Sequence, residues 1–230
     1  MSDEPAPFES PFNAIPPVIL LLVIAVVAIE LTLSAGAAGL VGGPNGIGWR
    51  LTALNDYAFS PAVLDYVWSR GDTSLDLLKR FVTYAFVHGS FTDALFGAAL
   101  LLALGKFVGD VFSPLATLVV FVLGTLAGAL AFGVCVGGAT PLFGVWPAVY
   151  GLIGAFTYIL WLRLGAAGQN QIAAFRLIGF LLALQLAFGL LFGSSPIWIA
   201  ELAGFVAGFA ASTVLAPGGW SALLVRLRQR

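Results

Sequence analysis

Charge is what this sequence has least of. Only 9% of its 230 residues are Asp, Glu, Lys or Arg, where a soluble domain carries about 25%. A folded chain this poor in charge cannot keep its surface wet, so lipid must cover most of it. Basic residues are no richer than acidic ones. The net charge is −1, and no cationic face is offered to nucleic acid. There is one cysteine, Cys135, and one histidine, His88. One thiol closes no disulfide within the chain, and one thiol with one histidine makes no metal site. No cofactor is expected. Cys135 lies inside an apolar stretch and is expected to be a small buried core residue.

What the chain does have is long apolar runs: 60% of its residues are hydrophobic and the mean hydropathy is +1.02. A crossing helix needs roughly 20 mostly apolar residues. Six segments qualify, over about Pro16–Ala38, Phe91–Val108, Pro114–Val136, Pro147–Leu164, Ile172–Phe192 and Ile197–Leu215. Pro16-Pro17 and Ser113-Pro114 read as helix starts, where proline is tolerated. Pro217-Gly218-Gly219 reads as a stop. The leader before the first run is acidic (Asp3, Glu4, Glu9) and has no lysine or arginine, unlike the basic start of a signal peptide. The expected fold is an all-α, six-span membrane bundle forming a single domain, 1–230. Residues 1–14 and 216–230 read as short tails, the second basic, and 39–90 as a long interfacial segment.

Six spans place both termini on one side. If that side is the cytoplasm, Lys106, Arg163, Arg176, Arg226, Arg228 and Arg230 lie inside. Arg50, Arg70, Lys79 and Arg80 then lie outside, in one segment that also carries four aspartates. The positive-inside bias favours that orientation. The same segment holds Trp49, Tyr57, Phe59, Tyr66 and Trp68, which suit the headgroup zone of a bilayer.

Three stretches carry a more specific pattern. The approach to the second span reads Arg80, Thr83, His88, Asp93 and Gly97, followed by Leu104-Gly105. The fourth span opens Gly144-Val145-Trp146-Pro147, then Tyr150-Gly151 and Gly154. The sixth contains Ala200-Glu201, Gly204 and Gly208. In this order and on these spans, they resemble the motifs of the rhomboid intramembrane serine proteases, and the likeness covers nearly the whole chain. The resemblance implies an acyl-transfer site in which a serine of the fourth span is activated by a histidine of the sixth. It also implies two polar residues on the second span that hold the oxyanion. Here Trp146 stands at the serine, Glu201 at the histidine, and Asp93 and Gly97 at the oxyanion residues. His88 matches a further family histidine. A tryptophan is no nucleophile, and Glu201 has nothing to activate. The fourth span contains no serine, and Ser90 more simply caps the second span through Ser90-x-x-Asp93. No catalytic residue is therefore assigned.

The same residues have plainer roles to play. Asp93 suits the positive end of a helix, and His88 is expected to make a structural hydrogen bond to the long segment. Glu30 is expected to reach the interface, and Gln185 to bond between helices. Gly124, Gly128, Gly151, Gly154, Gly204 and Gly208 read as close helix-packing sites. Glu201 is costly inside a membrane and so suggests a role. By the resemblance, Trp146, Tyr150 and Glu201 should meet between the fourth and sixth spans. The indole would fill the former active site, with Trp146 extended before Pro147 and Glu201 accepting from Tyr150 or Trp146.

The function this favours is binding without cleavage. The inactive rhomboid relatives, iRhoms and Derlins, escort membrane clients, so the expected partners are transmembrane segments of other proteins, within the lipid bilayer. Trp146, Tyr150, Glu201, His88 and Gln185 are the candidate contacts. The alternatives are an active intramembrane serine endopeptidase and an accessory subunit of a larger membrane complex. A transporter is disfavoured: only Asp93 and Glu201 are plausible intramembrane carboxylates, and no inverted repeat is evident. The short chain suggests a bacterial inner membrane. Oligomeric state is left open.

Overall fold

Proline and serine punctuation sets where the helices begin. In a computed structural model that describes residues 15–193 and 195–217, α1 spans Pro17–Ala37 with proline in its first turn. The segment after it is largely helical: a 3-10 stretch at Gly43–Gly48, then α2 (Trp49–Tyr57), α3 (Pro61–Arg70) and α4 (Leu75–Thr83). A 3-10 turn at Tyr84–Phe86 leads to α5 (Phe91–Gly109). Then come α6 (Pro114–Cys135), α7 (Trp146–Ala166), α8 (Arg176–Phe192) and α9 (Ile197–Leu215). Ser90 and Ser113 cap α5 and α6, each accepting from a backbone N–H at 3.2 Å, as the sequence suggests.

Six helical stretches are long and apolar enough to cross a membrane, and they match the expected spans within a few residues. The fifth is entered through a 3-10 turn at Gln171–Phe175, so its α-helix starts later than the hydropathy suggests. The expected tail at 1–14, and residues 218–230 of the expected tail at 216–230 with Arg226, Arg228 and Arg230, lie outside the described residues.

The helix α7 is the centre of the bundle. It packs against α9, α6 and α5, while α1 packs against α5. Of its span 56% is buried, against 11% for the fifth. Small residues permit this closeness. A Cβ on Gly124 would lie 3.2 Å from the Gly151 Cα, and one on Gly128 would meet the Pro147 ring. Side chains at Gly204, Gly208 and Gly154 would run into the carbonyl oxygens of Pro147, Gly151 and Phe205 respectively. With lipid on both sides there is little hydrophobic drive between helices, so such backbone contact is a main source of cohesion.

The segment 39–90 is fastened to the bundle at several points. Phe59 and Leu142 form a bridge of two backbone hydrogen bonds, 3.0 and 2.7 Å long. The buried Tyr84 hydroxyl donates to the Thr125 carbonyl at 2.7 Å. Arg80 donates to the carbonyls of Asn55 and Ala58, and Thr83 to that of Tyr57, which satisfies orphan acceptors at the end of α2. Cys135 departs from expectation: it is exposed, because it sits at the last residue of α6, where the helix leaves the core.

Candidate functional site

Three loops and helix ends converge where α5, α7 and α9 begin. The loop into α7 turns at Gly144, whose φ of +95° excludes most side chains. Its amide donates to the Tyr84 carbonyl at 2.9 Å. The next residue, Val145, is buried, and its N–H donates to Nε2 of His88 at 3.2 Å. An imidazole nitrogen that accepts carries no proton, so His88 is held neutral with its proton on Nδ1. Burial lowers its pKa from the ordinary value, against the opposing pull of Asp93 and Glu30. The expected bond from the ring to the long segment is corrected accordingly. The ring serves the loop before α7, and it is the His88 carbonyl that Arg50 of α2 reaches, at 2.8 Å.

Arg50 is the residue that sequence reasoning missed. Its guanidinium forms a two-pronged pair with Glu30 of α1, at 2.9 and 2.5 Å, and Ser34 joins the same group. Glu30 is 3% exposed. It does not reach the interface, because the cost of a bare carboxylate in the span is met by this internal partner. A carboxylate one-third of a span from the helix end and an arginine soon after it were the available signals.

Asp93 does more than cap. Its Oδ2 receives the Gly89 N–H at 3.4 Å, and its Oδ1 receives the indole N–H of Trp146 at 2.8 Å. The indole is therefore joined to α5, and the expected bond from Trp146 to Glu201 is not made. Nor is Trp146 extended: α7 already includes it, with Pro147 in the first turn, where proline needs no N–H partner. Gly97 lies beneath this joint. A Cβ there would stand 2.7 Å from the Val145 side chain and 3.3 Å from His88 Nε2.

Glu201 faces inward, 6% exposed, and accepts from the Gln185 amide of α8. Tyr150 lies beside the same carboxylate, and its hydroxyl accepts from Gln185 Nε2 at 3.1 Å. Tyr150 and Glu201 thus meet as the resemblance implies, with Gln185 as the third member. Among the described residues the buried Oε1 of Gln185 has no hydrogen-bond partner. Trp146 does not fill the space beside this cluster. A cavity of about 680 Å³ remains between the start of α7, α8 and α9, walled by Trp146, Leu186, Trp198, Gln185 and Glu201 among others. The helix α8 stands apart on its far side, its one extensive backbone contact being with the 3-10 turn that precedes it.

Among the described residues no group of three or more His, Cys, Asp or Glu side chains could hold a metal. The one imidazole is committed to a backbone N–H, and the position that faces Tyr150 from α9 is an acid. The arrangement offers hydrogen-bond acceptors in an apolar hollow, and among the described residues no serine or cysteine is hydrogen-bonded to the His88 ring. The family model described as Rhomboid domain matches residues 76–218. No curated protein matches the chain.

Proposed function

The chain belongs to the rhomboid family, and from that premise we propose that it is an integral membrane protein without peptidase activity, whose cleft receives transmembrane helices of other proteins. One observation carries the reading. The position of the nucleophile is taken by Trp146, and its indole N–H is tied to Asp93 at 2.8 Å, where the oxyanion of an acyl intermediate would otherwise be held. A carboxylate there repels developing negative charge instead of stabilising it. At the other half of the dyad, Glu201 is engaged with Gln185 and Tyr150. What survives is a hollow open beside a lightly attached helix, of the kind a neighbouring span can enter.

Serine-directed fluorophosphonates and isocoumarins, applied to the protein in detergent and in liposomes, test the absence of catalysis, together with a single-span model substrate. No labelling and no cleavage are expected. Labelling that disappears on substitution of one serine would overturn the reading. Placement in a bacterial inner membrane, with both termini cytoplasmic, belongs to the same proposal. It is supported by Lys106, Arg163 and Arg176 falling together on the side of the termini.

A further inference from the structure

The hollow beside Trp146 has a chemical polarity of its own. Its walls are largely apolar, and no lysine or arginine lines it. The polar side chains at its inner end are acceptors in need of donors. Glu201 offers a carboxylate, and Gln185 turns both N–H bonds of its amide toward Glu201 and Tyr150. With Glu201 ionised, that orientation follows, since a carboxylate oxygen must be met by a donor. It leaves Gln185 Oε1 buried and, among the described residues, unpartnered, in a setting where a missing hydrogen bond costs free energy. The hollow opens beside α8, the span with 11% of its length buried.

We propose that this site selects client spans carrying a hydrogen-bond donor, an amide or ammonium side chain, about one turn below the membrane face that bears α2–α4. The proposal rests on the client-binding reading and adds what the cleft recognises. The charge complementarity is one-sided. An amide donor meets Gln185 Oε1, and an ammonium group meets Gln185 Oε1 and Glu201 together. At the depth of the cluster a carboxylate on the incoming span meets the Glu201 charge and the Gln185 acceptor; the donors Ser195 and Trp198 line the hollow elsewhere. The depth follows from the helix rise. Glu201 is the fifth residue of α9, about 6 Å below its start. An apolar span gains nothing from the cluster and leaves Oε1 unsatisfied.

The test uses the full chain in liposomes, with a photo-crosslinking amino acid at Leu186, on the wall of the hollow. The probes are synthetic Leu/Ala spans that differ at one position, one turn below the α2–α4 face: Leu, Asn, Lys or Glu. A further Lys probe carries its lysine at the opposite end. Crosslinking of the Asn and outer-end Lys spans should exceed that of the Leu span about three- to tenfold, the range expected for one interhelical hydrogen bond. The Glu span and the opposite-end Lys span should show no gain. In Glu201→Gln the Lys advantage should fall and the Asn advantage persist. In Gln185→Leu the Asn advantage should vanish. Equal crosslinking of all spans overturns the donor selection and leaves client binding standing. Crosslinking of none overturns both. Should the Glu201→Gln protein misfold, donor selection is still decided by the Asn, Glu and opposite-end comparisons, which are made with the unaltered chain.

Discussion

At single residues, the positions that the family resemblance assigns to catalysis are tied into hydrogen bonds here, and on the proposed reading this makes them hard to convert to an active site. Trp146→Ser with Glu201→His restores a dyad on paper. It leaves Asp93 without its indole partner and Gly97 with no room for a donor side chain, since even a Cβ meets Val145 at 2.7 Å. Removing one oxyanion donor costs roughly 10²–10³ in rate, and here two are missing. The double variant is expected to cleave model substrates at least about 10³-fold more slowly than an active family member under the same conditions; robust turnover would mean that these two positions matter less than argued. His88 supplies a second expectation. Its folded pKa lies below the ordinary 6.5, so the unfolded chain binds more protons than the folded one in the interval between the two values. Stability is then complete above about pH 6.5 and falls as pH drops through the folded value. Protonation would set Nε2–H against the Val145 N–H. Thermal unfolding in detergent should show this acid-side loss in the parent and a smaller one in His88→Gln. Identical profiles would detach His88 from the effect. The cap at Ser90 was legible in the spacing Ser90-x-x-Asp93, and the meeting of Tyr150 with Glu201 in the family resemblance. The bond from Trp146 to Asp93 was not, because it joins residues 53 apart through a loop whose turn at Gly144 no periodicity announces.

Among the elements, the joint between α1 and α2 was the least visible from sequence. The spans themselves follow from apolar length, and five of the six start where a proline, serine or polar break puts them. The three short helices at 49–83 follow no such rule; Arg80 and Thr83 tie the third to the end of the first, and the bridge from Phe59 to Leu142 ties the segment to the bundle. The Glu30–Arg50 pair is the strongest of these ties. Its two side chains are 4% and 19% exposed, and breaking a buried pair by removing one partner costs about 3–5 kcal/mol. Glu30→Ala and Arg50→Ala should each lower stability by an amount near the bottom of that range, given the partial exposure of Arg50. Glu30→Leu combined with Arg50→Met should recover most of the loss, because no charge is then left alone. Reversible unfolding in mixed micelles measures both; a pair of single variants without effect would make the contact ornamental.

For the whole molecule, charge placement supports the proposed orientation. On the face of α2–α4, Arg50 and Lys79 are paired with carboxylates, Arg80 lies 3.9 Å from Asp76, and Arg70 lies over the Tyr66 ring. Arg163 and Arg176, on the other face, are exposed. Cysteines placed in 39–90 should react with a membrane-impermeant maleimide from outside intact cells, and tags at both termini should be protected. The reverse pattern would invert the molecule. The glycine contacts of α7 have a further consequence, for time rather than for structure. A helix locked backbone to backbone against two neighbours cannot swing without breaking all those contacts at once, whereas α8 belongs to a span with 11% of its window buried. Motions of such a helix run over microseconds to milliseconds, so the capture of a client would be limited by how often α8 swings aside. The observed association rate should level off as client is added, at a plateau set by the protein alone.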